Sequence, residues 1–355
     1  MKCKYCQSEN TIKYGEYEGV QRYYCKDCSR KFTELDTLPH MQTPVDRVGA
    51  AVGMYYEGLS LNEIKRMLKQ IYNCDVSDYG IYGWVERFTK DAEKITKGYH
   101  PDVGYVWLAD ETVINVEGKQ YWLLDVIDVK TRFLIASHLS PTRRVEDIQE
   151  TLKEAYARTG RIPKVILTDH LEAYIYGIGL TFGDQTKHIQ VKKFTSKPNN
   201  NIIERMQGTI RARTKIMRDL KSLETAQTIL NGFIIYYNYL RPHETLSSPH
   251  NDVTPARKAH IDFPYKNWEQ LIRHTSEVKQ TLSGVSFFSP PPLPRVKLSP
   301  QQRKLAEQRL YKRRKLETKR TGIPYQPKNK GGGAGRPNTL SSISSIPFTR
   351  NKRSK

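Results

Sequence analysis

The sequence predicts an α/β protein built on a mixed sheet, and three observations lead there. Between residues 105 and 240 the apolar pattern reads strand, strand, strand, helix, strand, short helix, strand, helix, helix. Two short apolar runs in that region, 105–109 and 164–168, deliver Asp110 and Asp169 at or just after a strand end. The region is also framed: two Cys-x-x-Cys pairs and three helical periods precede it, and a dense block of positive charge follows. The expected domains are 1–40, 41–97, 98–250 and 251–355, a reasonable division for 355 residues.

The N-terminal unit holds Cys3-Lys-Tyr-Cys6 and Cys25-Lys-Asp-Cys28, with 18 residues between the pairs. The N-terminus lacks a secretory apolar stretch and no apolar run reaches membrane-spanning length. A cytoplasmic, nucleoid-associated chain is expected, and disulfides do not persist there. Four thiolates at this spacing offer the closed tetrahedral shell of one structural Zn2+, with no position left for water. Gly15, Gly19 and the aromatics Tyr17, Tyr23, Tyr24 and Phe32 suit short hairpins between the knuckles. So small a unit is expected to fold only with its metal. It resembles a zinc ribbon, and its lysines and arginines fit nucleic acid; a protein-binding ribbon is the other reading.

Residues 44–97 read as three helices. The first ends near Gly58; Ser60 caps the second, with Leu61, Ile64, Met67 or Leu68, and Ile71 on one face; Ser77 caps the third, with Ile81, Trp84 or Val85, and Phe88 apolar. Helix, turn, helix is compatible with a helix-turn-helix. Tyr79, Tyr82 and Arg87 of the third helix are then the candidates for the DNA face. Any small helical domain gives the same pattern.

After a linker at 98–104, the first strand and a hairpin turn at Glu117-Gly118 lead into an apolar run ending at Asp128, and a third strand follows Lys130-Thr131. Val145, Ile148, Leu152 and Ala155 or Tyr156 mark a helix; residues 187–193 alternate as a strand. Asn199, Asn200 and Asn201 then open a helix with Ile203, Met206 or Gln207, Ile210 and Thr214 on one stripe. Glu204 lies in its first turn, where an ionised acid gains from the helix dipole. Taken alone, such an acid is a dipole partner and nothing more. A further helix covers 223–240 and stops at Arg241-Pro242-His243, because proline cannot continue it.

Net charge is +21, unevenly spread. Residues 295–355 carry 18 Lys+Arg against two acids, or +16; the other 294 carry 40 against 35, or +5. A block this dense points to a polyanion, with solubility as the bland alternative. Residues 290–294 are expected as polyproline II, 299–318 as a basic helix, and the Gly- and Ser-rich stretches beyond 330 as disorder.

Asp110, Asp169 and Glu204 are carried on strand, strand and helix. Three carboxylates meeting in one place repel unless cations neutralise them. Such hard oxygen donors suit Mg2+ or Mn2+. A pair of these ions activates the attacking oxygen and stabilises the leaving one in phosphodiester displacement. Glu111 is expected as a neighbour projecting to the opposite face; Asp125 and Asp128 either approach the site or, the preferred reading, end or turn the second strand; His170 either touches a phosphate or, the preferred reading, is a plain surface histidine. Arg205, Arg211, Arg213 and Lys215 share the Glu204 helix, and either hold DNA phosphates or form its solvated face.

These residues carry a resemblance. Asp110, Asp169 and Glu204, with 34 residues between the last two, look like the acidic triad of DDE transposases and retroviral-type integrases. Asp110-Glu-Thr, Thr168-Asp169-(x4)-Tyr174, Asn200-Asn-Ile-Ile-Glu204-Arg and Tyr237-Asn-Tyr-Leu-Arg-Pro-His243 resemble insertion-sequence transposases of bacteria and archaea. The likeness covers roughly residues 1–250. It implies an RNase H-like core with two Mg2+ or Mn2+ ions, cleavage of transposon ends, and joining of the 3′-hydroxyl to target DNA. The implied partners are double-stranded terminal repeats and target DNA, with a homodimer or higher oligomer when active. Two other readings stay open: a non-catalytic, transposase-derived DNA-binding regulator, and an RNase H-like nuclease acting on RNA or DNA junctions.

Overall fold

The computed structural model describes residues 1–191, 201–216, 220, 222–278, 291–293, 300 and 308. The turn expected ahead of Glu204 and nearly all of the basic tail, including its expected helix and disorder, lie outside the described residues. Residues Met1–Gln302 form one compact unit.

The first 33 residues make a three-stranded antiparallel sheet, β1 (Thr11–Tyr17), β2 (Val20–Cys25) and β3 (Lys31–Thr33). Cys3, Cys25 and Phe32 are its only buried apolar side chains among those described, separate from the main core. Three helices follow: α1 (Val45–Glu57), α2 (Leu61–Tyr72) and α3 (Asp78–Thr96). Gly58 ends α1 in the left-handed conformation (φ 102°). Ser60 and Glu63 form a capping box on α2, and the Ser77 hydroxyl accepts the Gly80 amide on α3. Ile64, Leu68, Ile81, Val85 and Phe88, all on the predicted stripes, are buried.

The central sheet has the order β6-β5-β4-β7-β8. Strands β4 (Val106–Val116), β5 (Lys119–Asp128) and β6 (Leu134–Ser140) form an antiparallel meander, and Glu117 and Gly118, both at positive φ, close its first hairpin. Strand β7 (Val165–Thr168) runs parallel to β4, and β8 (Lys187–Gln190) parallel to β7. Helices α4 (Val145–Thr159) and α5 (Glu172–Phe182) lie between these strands in the chain. The continuous burial of residues 123–128 shows that both faces are covered. Helix α6 (Asn201–Ile216) packs on β4, and α7 (Leu223–Ile235) on β6 and α3. This is a mixed α/β sheet flanked by helices, the fold class the sequence predicts.

The last predicted helix ends in a π-turn, Tyr236–Leu240, whose Asn238 amide bonds both the N–H and the C=O of Leu134, each at 2.9 Å. Two helices were not foreseen: α8 (Pro255–Lys258) and α9 (Trp268–Val278). Trp268, Leu271 and Ile272 are buried, and Trp268 stacks on Tyr56 of α1 at 5.1 Å. The extension expected from residue 251 therefore begins with structure that belongs to the compact unit. The basic character of the distant tail masked a short amphipathic stripe at its start.

Candidate active site

Strand β4 positions Asp110 by its register. It pairs with β5 so that Asp110 faces Asp125, and with β7 only over Val106 to Leu108. Past Leu108 the β7 edge of β4 therefore has no strand partner until Val116, which bridges Leu220. Asp169 follows the last residue of β7 and accepts the Leu171 amide at 2.8 Å through Oδ1, in the turn that starts α5. One carboxylate oxygen each from Asp110, Glu111 and Asp169 falls within 4.8 Å of the others. Asp110 lies inside β4 rather than at its end, and Glu111 joins the cluster although it is the next residue along the strand. Alternation separates such neighbours across a sheet face, but an acid arriving at an open edge meets both.

Burial, then the charges of Glu111, Asp169 and Glu204, raises the Asp110 pKa to about 7. Glu204, on the first turn of α6, is thus near enough to act on Asp110 but stands outside the 4.8 Å group. Burial also raises Glu111, against the pull of Arg143, whose guanidinium donates to it at 2.7 Å. The Tyr174 hydroxyl faces Glu111, but both it and Glu111 Oε2 are buried without a hydrogen bond of normal geometry. Asp125 is fully buried mid-strand and does not end β5. It accepts the Ser137 hydroxyl at 2.5 Å and the Gln207 amide at 3.3 Å, and burial raises its pKa to about 7. Gln207 lies one turn beyond Glu204, so this contact ties the Glu204 helix to the sheet beside Asp110. A group of acids so short of cations suits a hard divalent ion.

A family model described as a DDE domain matches residues 104–243. Residues 104–243 are thus similar to a DDE domain. The chain is also 34% identical over 90 residues to an uncharacterized protein in the transposable element ISH50 of Halobacterium salinarum. That match covers 25% of this chain and 29% of the relative, so the chain spans less than a third of the curated relative it matches. Among solved structures, the HTLV-2 integrase catalytic core domain in complex with magnesium is 18% identical, covering 45% of this chain and 98% of that one, with a TM-score of 0.36. A simian T-cell lymphotropic virus intasome bound to a PP2A regulatory subunit is 13% identical, covering 66% and 78%, with a TM-score of 0.36.

Outside the DDE domain, the four predicted cysteines come together. The sulfurs of Cys3, Cys6, Cys25 and Cys28 lie within 4.8 Å of one another, with Cys3–Cys28 and Cys6–Cys25 both at 3.6 Å. A tetrahedral shell with Zn–S near 2.3 Å separates sulfurs by about 3.8 Å, so the donor set fits that ion. The backbone amides of Cys28 and Asp27 lower the Cys25 thiol to about 7, which favours the thiolate.

The predicted DNA-facing residues divide. Tyr79 is 84% exposed and Arg87 is exposed. Tyr82 is half-buried, its hydroxyl facing Thr225 at the start of α7, and so is turned toward the DDE domain. On α6, Arg205, Arg211 and Lys215 are exposed. Arg213 is not available in the same way: it pairs with Glu57 at 3.3 Å and lies over Gly58, where an added Cβ would meet its guanidinium at 1.9 Å. It joins α6 to α1. Spacing along α6 gave no warning, because its partner lies 156 residues earlier. His170 is exposed, as expected.

Proposed function

We propose that the chain is a transposase: a divalent-metal-dependent enzyme that cleaves transposon DNA ends and transfers the 3′-hydroxyl into target DNA. The observation that carries this reading is the convergence of Asp110, Glu111 and Asp169 at the open edge of β4, inside a DDE domain, with Glu204 close by. Asp110, Asp169 and Glu204 would hold two Mg2+ or Mn2+ ions, and Glu111, already engaged by Arg143, would border them. Bound ions supply the Lewis acidity that activates a water or 3′-hydroxyl and stabilises the leaving oxygen. Their charge would also offset the repulsion among these carboxylates. Buried Asp125, which accepts the Gln207 amide, would tie α6 to the sheet beside them. The four-cysteine cluster would hold one structural Zn2+, and the ribbon, α3 and the exposed cations of α6 would bind duplex DNA. Two ends must be joined in one event, so the active form is at least a dimer.

The test is strand transfer with the flanking genomic repeats and Mg2+, followed by sequencing of the products. Asp169→Asn should keep end binding and lose both nicking and joining. Wild-type joining retained by that variant would remove the assignment.

A further inference from the structure

A second site lies on the other flank of α6. Between α6, the β5–β6 turn and the chain leaving the π-turn is a cleft of about 480 Å³, lined by Arg132, Asn201, Arg205, Tyr237, Arg241 and His243 among others. Its walls are fixed by the backbone. Arg132 sits at φ 62° in a turn whose carboxylate staple is Asp128, which accepts the Thr131 amide and hydroxyl. The Arg132 guanidinium donates to the Val129 carbonyl at 2.7 Å. Opposite, Asn238 clamps the π-turn to Leu134, and Pro242 then directs Arg241 and His243 to the cleft. The Arg-Pro-His word that merely stops a helix in the sequence therefore supplies one wall of a concave surface.

Positive charge outweighs negative in this cleft. Among the described residues the arginines paired with carboxylates are Arg143, Arg161, Arg213 and Arg273, and Arg132, Arg205 and Arg241 are not among them. Glu244 is the single acid in the lining, and it is exposed. His243 Nδ1 is buried with no hydrogen-bond partner. Burial lowers the His243 pKa, and the charges of Arg132 and Arg241 lower it further, so both arginines stand close to the ring. Guanidinium groups gathered without a counter-ion form a receptor for a tetrahedral oxyanion, which they bind through forked N–H pairs. Arg205 adjoins Glu204, so an anion here lies along the helix that also serves the acid cluster.

We infer that this cleft binds a backbone phosphate of the DNA substrate, through Arg132, Arg205 and Arg241 with His243. Its role is to hold the strand in register rather than to read bases. The inference rests on the transposase reading for its choice of DNA, though the cationic cleft itself does not.

The experiment uses the full chain and a duplex of arbitrary sequence, with affinity followed by fluorescence anisotropy across a salt series. R132Q/R241Q should reduce the slope of log affinity against log salt by about 1–2, the loss expected for one or two phosphate contacts. R132K/R241K should retain most of the slope. K153Q/K187Q, which removes two charges from α4 and β8, should change it less. A slope equal to wild type in R132Q/R241Q, or an equal fall in K153Q/K187Q, would overturn the inference. Should the double glutamine variant melt early, Arg205→Gln repeats the test at an exposed position, with a fall of about 1 expected and an unchanged slope counting against the cleft. Duplex DNA should also shift the His243 ring signals by NMR. Inorganic phosphate shifting them while DNA does not would mean a small-anion site and would overturn the DNA assignment. Mn2+ binding on the same samples reads the acid cluster separately: its absence in wild type counts against the catalytic reading and leaves the cleft to the salt slope.

Discussion

Asp110 shows what an acid cluster costs in the metal-free protein. Its pKa of about 7 is raised from the ordinary carboxylate range, so the folded chain holds a proton that the unfolded chain releases near pH 4. Stability from this group is present below pH ~4 and is lost as pH rises to about 7. Asp110→Asn removes the liability. Without metal, that variant should melt above wild type at pH 8, by an amount on the order of 1 kcal/mol or more, and the gap should close on acidification. With Mn2+ the order should reverse, because wild type gains a ligand-linked increase that the variant lacks. Differential scanning calorimetry at pH 5 and pH 8, with and without Mn2+, decides both points. The strand context of Asp110, the strand that precedes Asp169 and the helix context of Glu204 were legible in the sequence. Glu111 and Asp125 were not, for opposite reasons. Alternation along a strand places Glu111 on the far face, and only the short pairing of β7 exposes the edge where it meets Asp169. Asp125 reads more readily as a strand-ending residue than as one near the site, because nothing local reveals Ser137 and Gln207 as its partners.

At the scale of elements, local signals predicted the pieces and missed the joints. Ser60, Ser77 and Gly58 set helix ends that residue patterns disclose. The packing of α7 against α1 and α3 depends on a glycine with no such signature: a Cβ at Gly232 would lie 1.9 Å from the Tyr56 hydroxyl and 2.8 Å from that of Thr89. Those two hydroxyls are hydrogen-bonded at 2.5 Å in the core. Gly232→Ala should therefore destabilise by about 1–3 kcal/mol despite its better helix propensity, as seen in urea denaturation. The ribbon makes the contrasting case. Its small cluster around Cys3, Cys25 and Phe32 is separate from the main core. Cys25→Ser should lower the zinc content from one per chain to none by elemental analysis. Hydrogen exchange should then show residues 1–33 unprotected, with α3 and β4 keeping their protection.

At the scale of the molecule, burial and charge follow different partitions. The predicted boundary at residue 97 separates helices from sheet, yet Met1–Gln302 is one compact unit, because α7 and α9 return to pack on α1 and α3. Such returns are long-range contacts, and periodicity carries no record of them. Charge, by contrast, is legible in the sequence: residues 295–355 hold +16 of the net +21. If the tail lies along the DNA backbone, its cations release counterions in proportion to the phosphates they neutralise, and affinity falls steeply with salt. Deleting residues 295–355 should then flatten the salt dependence of duplex binding by several units of slope, far beyond the change expected from the cleft beside α6. Because the deletion leaves the acid cluster intact, Mn2+ affinity should be unaltered. A deletion that weakens binding equally at all salt concentrations would mean that the tail acts through contacts other than phosphate, and an unaltered slope would mean that it does not meet DNA.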